Sequence, residues 1–425
     1  MRASGTMLEA DVKVYGHAPR AANCVATVIT RQDIEDAGAR ISGVIRATPV
    51  HEVDALSRLV GRPVLVKPEQ LQRTGSFKIR GAYNFISRLP AGTEVVAASA
   101  GNHAQGVALA AALTGLHSTI YMPANAPLPK VEATEAYGAS VRLESGGVHE
   151  CLAAAKAAAE ASGAAFVPPF DDPLVIAGQG TIGLEIAAET GEIETVVVPV
   201  GGGGLISGVA TALAHSRRGV RVIGVEAAGA AAMRASLDAG GCVTLDAVAT
   251  MADGIAVRSP SPLTLSHVQA YVDDVVTVTE EELSRALLLL LERAKAVVEP
   301  AGAAGLAAIL SGKINGRGPV VAVLSGGNID PLLLLKVIDH GLSAAGRYLL
   351  LRIVLDDRPG ALAQLTAAVA DLGLNVLDVE HHRSGVRLDV AQVEVLLTLE
   401  TRDPDHRDAV ITALRQRGFN VEAER

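Results

Sequence analysis

The sequence predicts an α/β protein built on open parallel sheets, followed by a small βαββαβ domain. Three observations predict this. From about Glu94 to Gly341 short β-branched runs alternate with Ala-rich helical stretches, the pattern of parallel strands joined by crossover helices. Glycine-rich turns follow two of the runs, VPVGGGG after Val196–Val200 and VLSGGN after Val320–Leu324, and ligands of such sheets bind at these carboxyl ends. After Gly341 the texture changes to strand, helix, strand, strand, helix, strand.

Taken in order, residues 1–27 mix Glu9, Asp11, Lys13, His17 and Arg20 with small residues and lack an apolar segment before a cleavage site. They read as an N-terminal extension, expected to be disordered, and not as a targeting signal. The main unit spans 28–343, with a smaller subdomain over about 94–167. In that subdomain VVAAS, STIYM and SVRLE are strands separated by helices. Cys151–Ala165, CLAAAKAAAEASGAA, is an ordinary helix on alanine's high helix propensity. TVVVPV and VRVIGVE supply further strands. The greasiest stretch, Ala286–Leu310, is interrupted by Glu292, Arg293, Lys295, Glu299 and Pro300, so it reads as two core-facing helices rather than a membrane span. A boundary near Ser343–Arg347 leaves 347–425 as a ferredoxin-like domain.

Composition removes several functions. At 425 residues the chain is long enough for two or three domains, and its hydrophobic content of 49% against 3% aromatics implies a core of Ala, Val, Leu and Ile. A net charge of -9, with no cluster of Lys and Arg, disfavours nucleic acid. Cys24, Cys151 and Cys242 are odd in number and far apart, which argues against a disulfide framework; they read as buried thiols in a reducing cytoplasm.

Four motifs carry candidate chemistry. Lys78 lies between Phe77 and Ile79 in TGSFKIRG, an apolar setting for an ammonium, although most lysines only cover apolar surface with their stems. Gly201–Gly204 precede a helix start, where convergent amides make either a phosphate cradle or a plain flexible turn. SAGNHAQG at Ser99–Gly106 offers amides for a carboxylate and an Asn102 side chain for an oxygen, or merely a capped helix. SGGN at Ser325–Asn328 adds a hydroxyl at a third strand end. Together they supply one amine, one phosphate cradle, one carboxylate cradle and one hydroxyl, the set that a pyridoxal phosphate enzyme needs.

In this order SFKIRG, SAGNHAQG, GGGGLISG and SGGN resemble the fold-type-II pyridoxal-phosphate family of threonine and serine dehydratases, over about Ile34 to Gly341. DDRPGALAQL at Asp356–Leu365 resembles the effector-binding turn of ACT domains, its alternative being a turn with Pro at the first helical position. The resemblance implies a two-domain catalytic unit related in fold to the tryptophan synthase β chain, and a C-terminal regulatory ACT domain.

By that resemblance Lys78 binds pyridoxal 5'-phosphate covalently and later removes the substrate's Cα proton, while Ser325 partners the pyridine nitrogen. Asn102 matches the residue bonded to the ring's phenolic oxygen. Gly201, Gly202, Gly203, Gly204 and Leu205 match the phosphate turn, and Phe77, Gly254 and Glu299 lie near the cofactor. For Gly254 and Glu299 a turn glycine and a helix cap remain alternatives. Ser99, Ala100, Gly101, Asn102 and His103 match the substrate-carboxylate site. Ala100 departs from the related serine racemases, which carry a second serine there, and this disfavours two-base racemisation. Glu226 matches one metal ligand, but Ala232 stands where a carboxylate would help, so a structural Glu226 is equally open. Asp357, Pro359, Gly360 and Ala361 match an effector site for a branched-chain amino acid.

The expected activity is β-elimination of L-threonine to 2-oxobutanoate and ammonia by a cytoplasmic homotetramer or homodimer. L-serine dehydration and a non-catalytic ACT-based amino-acid sensor are the alternatives.

Overall fold

The computed structural model describes residues 29–217, 219–344, 346–383 and 388–423. The expected N-terminal extension and Cys24 therefore lie outside the described residues. Among the described residues ten strands precede residue 344: β1 (His51–Glu52), β2 (Val64–Lys67), β3 (Val95–Ala98), β4 (Ser118–Pro123), β5 (Ser140–Glu144), β6 (Ala165–Phe166), β7 (Thr195–Pro199), β8 (Arg221–Ala227), β9 (Asp274–Val278) and β10 (Val320–Val323). They form two sheets, one ordered β1-β2-β10-β7-β8-β9 and one ordered β5-β4-β3-β6. All neighbours are parallel except β1 with β2.

The central strands are β-branched throughout because both faces are covered. On β10, Val320 and Ala322 enter one core and Val321 and Val323 the other. Helices Glu280–Leu289 and Pro300–Leu310 close the first core; Pro173–Glu189 and Gly204–Ser216 close the second. In the smaller sheet Val95 and Ala97 face one cluster and Val96 and Ala98 another. Between the two helices expected in Ala286–Leu310, Leu290–Ala294 forms one π-helical turn that ends at Lys295 with a φ of 56°.

The C-terminal part contains β11 (Tyr348–Asp356), β12 (Val376–His382), β13 (Gln392–Glu400) and β14 (Asn420–Ala423), with helices Ala361–Asp371 and Pro404–Gln416. The order β12-β13-β11-β14, antiparallel throughout, is the ferredoxin-like arrangement. Leu349, Leu351, Ile353 and Leu355 alternate into a core shared with Leu365, Val369, Val410 and Leu414.

One expectation is corrected: Cys151 is buried, but Cys242 is exposed, because it follows the end of helix Ala232–Ala239 in a loop rather than on a core face. No helix of the described residues is long and apolar enough to cross a membrane.

Candidate active site

Lys78 is the first residue of helix Lys78–Ile86, and the segment before it is stitched to the turn after β10. Phe77 N–H donates to the Ser325 carbonyl at 3.1 Å, Gly327 N–H donates to the Gly75 carbonyl at 2.9 Å, and Ser76 pairs with Gly326 in an isolated bridge. Behind Lys78, buried Arg80 fixes the helix. Its guanidinium donates to Glu69 at 2.8 Å and to Glu185 at 2.5 and 2.9 Å. Burial alone would lower the Arg80 pKa, but the two carboxylates outweigh it and hold the group charged.

The Lys78 side chain is half-buried, and its Nζ donates to the Pro169 carbonyl at 2.8 Å. The amine lies 5.2 Å from the centre of the Phe77 ring, while Ile79 turns into the core of the smaller sheet. Desolvation lowers the Lys78 pKa to about 8, with the charge of Glu299 partly opposing the shift.

Phe170 follows Pro169 and floors the glycine turn: a side chain on Gly202 would strike its ring, and one on Gly204 would come 2.9 Å from its Cβ. The segment that receives the amine thus also supports the turn after β7. Gly203 has a φ of 91° and caps helix Gly204–Ser216. Among the described residues no protein acceptor faces the amides of Gly201, Gly202 or Gly203. Those amides, ahead of a helix N-terminus, form an oxyanion cradle. Leu205 is buried in the core beneath it.

Asn102 opens helix Asn102–Thr114, whose N-cap is Gly101. Its side chain does not cap the helix. Its Nδ2 donates to Glu299 Oε1 at 2.6 Å, and its Oδ1 accepts from Asn328 Nδ2 at 2.7 Å. Glu299 begins helix Pro300–Leu310 without capping it through its side chain. Desolvation, reinforced by Asp253, raises the Glu299 pKa to about 7. A side chain on Gly254 would come 2.9 Å from Ala301 Cβ and 3.6 Å from Glu299 Oε1, which places Gly254 beside this network.

Ser325 is 4% exposed, and its hydroxyl has no protein partner among the described residues. Ser99 Oγ accepts the Gly101 amide at 3.1 Å, so that amide is engaged within the loop. Ala100 brings no polar side-chain atom. His103 is buried and bonds the Val167 carbonyl at 2.9 Å. Burial, then the nearby Lys78 charge, lowers its pKa to about 3, so it is neutral. Glu226 accepts the amides of Met233 and Arg234 at 2.8 Å each. Among the described residues no group of three His, Cys, Asp or Glu could hold a metal ion. In the C-terminal domain Gly360, with a φ of 92°, caps the helix that begins at Ala361, and Asp357 N–H donates to the Ala391 carbonyl at 2.8 Å. Pro359 lies in the turn between them.

Residues 41–326 match the family model described as pyridoxal-phosphate dependent enzyme. The chain belongs to this pyridoxal-phosphate dependent enzyme family. Residues 349–419 match the ACT domain model. The chain is 47% identical over 393 residues to an L-threonine ammonia-lyase of Geobacter sulfurreducens, covering 92% of this chain and 98% of that relative. Its fold is similar to that of the processed form of threonine deaminase isoform 2 from Solanum lycopersicum, with a TM-score of 0.70, 38% identity, and 72% and 92% of the two chains covered. It is also similar to maize serine racemase, with a TM-score of 0.70, 36% identity, and 75% and 99% covered.

The residues of this pyridoxal-phosphate dependent enzyme fit its cofactor. A desolvated amine, a run of unpaired amides and the open Ser325 hydroxyl converge on the carboxyl ends of β7 and β10. Beside them the hydroxyls of Thr74 and Ser76 are buried without protein partners. Four contributors were not singled out from the sequence: the Pro169 carbonyl, the Phe170 ring, Gln105 and Asn328. Two of them carried a signal: Asn328 as the last residue of the SGGN motif and Gln105 inside SAGNHAQG.

Proposed function

We propose that the chain is an L-threonine ammonia-lyase, converting L-threonine to 2-oxobutanoate and ammonia by β-elimination. The observation that carries this reading is the Lys78 amine, held by the Pro169 carbonyl beside the turn that the neighbouring Phe170 supports. Bound pyridoxal phosphate supplies a carbonyl carbon for amines and a ring that accepts the electron pair left at Cα. Lys78, neutral above about pH 8, removes the Cα proton. The amides of Gly201–Gly204 would hold the phosphate. Ser325 would meet the ring nitrogen with a hydroxyl rather than a carboxylate, a weaker partner for a protonated ring that would favour elimination over side transamination. Asn102 would donate to the ring's phenolic oxygen, and the amides of Ala100, Asn102 and His103 would receive the substrate carboxylate. Loss of the β-hydroxyl followed by hydrolysis gives the products.

Ala100 has no side-chain proton to deliver to the opposite face of Cα, which supports elimination over racemisation. L-serine is the competing substrate, differing by one methyl worth about 1–3 kcal/mol in a pocket. Glu226, with two amides on its oxygens, is taken as a structural acceptor rather than a metal ligand. Residues 28–343 form the catalytic unit and 347–425 the regulatory one. A branched-chain amino acid at Asp357–Ala361 regulates the enzyme. The edge strand β12, every residue of which is solvent-accessible, supports a homo-oligomer, and the solvent-facing thiol of Cys242 is consistent with a reducing cytoplasm.

The test is to incubate purified protein and pyridoxal phosphate with threonine and assay 2-oxobutanoate. Wild type forms it, and Lys78→Ala loses at least about a hundredfold of the rate. Wild-type protein that binds the cofactor yet releases no 2-oxo acid would overturn the assignment.

A further inference from the structure

Asn102 can present either end of its carboxamide, and the two ends have opposite hydrogen-bonding character. The residues around it remove that freedom. Thr74 adopts a φ of 64°, rare for a non-glycine residue, and turns its carbonyl toward Asn328. Asn328 Nδ2 donates to that carbonyl at 2.7 Å. A backbone carbonyl only accepts, so the nitrogen end of Asn328 must face this way. The same Nδ2 donates at 2.7 Å to Asn102 Oδ1 and reaches Gln105 Oε1 at 3.4 Å. Asn102 must then turn its own nitrogen away, and this nitrogen meets Glu299 Oε1 at 2.6 Å. The Asn328 oxygen occupies the space where a side chain on residue 75 would sit, which only glycine leaves open.

We propose that Asn328 is a positioning residue: it relays the fixed polarity of the Thr74 carbonyl to Asn102, so that an N–H of Asn102 faces the cofactor's phenolic oxygen. The inference rests on the cofactor reading above and extends it to a residue that does not touch the cofactor. Its physical consequence concerns charge. A donor at the phenolic oxygen favours the ionised form of that oxygen, so losing the orientation disfavours ionisation and loosens the cofactor.

The test titrates the visible absorption of the holoenzyme against pH and measures pyridoxal phosphate affinity by fluorescence, in wild type, Asn328→Ala, Asn102→Ala and the double variant. Asn328→Ala is expected to move the spectral midpoint upward by about one pH unit and to weaken affinity about tenfold. The double variant should match Asn102→Ala alone, because Asn328 acts only through Asn102. If Asn328→Ala does not fold, Asn328→Asp, of the same size but with an acceptor in place of the donor, should move the midpoint in the same direction. A folded Asn328 variant that titrates like wild type, or a double variant in which the two effects add, overturns the relay. A wild type that stays colourless with pyridoxal phosphate overturns the functional reading beneath it.

Discussion

Lys78 is the residue on which the chemistry turns, and its environment sets a pH dependence. The amine is a nucleophile only when neutral, and desolvation brings its pKa down to about 8. Capture of pyridoxal phosphate by the apoenzyme should therefore quicken about tenfold per pH unit as the pH rises toward 8, then level off. Stopped-flow absorbance would measure this, and a rate that keeps rising tenfold per unit well beyond pH 8 would show that the amine is not desolvated. The sequence made Lys78 legible because a charge between Phe77 and Ile79 requires an explanation. It could not show what holds the amine, since the acceptor is a backbone carbonyl 91 residues away. The polarity of Asn102 was hidden for a similar reason: it depends on a left-handed turn at Thr74 and a side chain 226 residues downstream. A hydrogen bond across such separations leaves no periodic trace in either segment.

The helices Pro173–Glu189 and Gly204–Ser216, the second of which carries the glycine cradle at its start, cross with their backbones in close approach. Gly180 and Gly183 face Gly208, Val209 and Ala212 across this crossing. A Cβ on Gly183 would come 2.8 Å from the Val209 carbonyl, and one on Gly208 would come 2.5 Å from the Gly180 amide. Gly208→Ala therefore has to push the two helices apart. It is expected to cost about 1–3 kcal/mol, read as a lower denaturant midpoint, and to weaken pyridoxal phosphate binding because the cradle moves with its helix. An unchanged midpoint would mean that the helices are free to separate. At this scale the strands were legible, because short β-branched runs between glycine turns have few other uses. The turn at Leu290–Ala294 was not. Its leucines carry the same apolar pattern as the helix before it, and only the tertiary fit decides where a ladder slips to a wider turn.

The whole molecule divides its apolar interior between the two matched regions. Among the described residues, the core of the C-terminal domain draws only on residues from Leu349 to Val421, and the cores flanking the catalytic sheets only on residues before 344. The change of texture after Gly341 was readable in the sequence for this reason, since each unit closes its own hydrophobic pattern. A chain ending at Ala344 should consequently retain its catalytic cores, including both faces of the sheet that carries Ser325 and the glycine turn. Regulation requires that an effector bind two states of the enzyme unequally, and removing its site removes that difference. The truncated enzyme is expected to keep kcat within about threefold of the full chain, an effect of under about 1 kcal/mol. Its activity should not respond to isoleucine or valine, while the full chain's activity shifts with at least one of them. Steady-state rates with threonine across an effector titration measure both quantities. If truncation abolishes turnover while the cofactor still binds, the C-terminal domain supplies part of the catalytic conformation and is not an appended sensor. If the truncated chain still responds, the effector binds on the N-terminal side of residue 345.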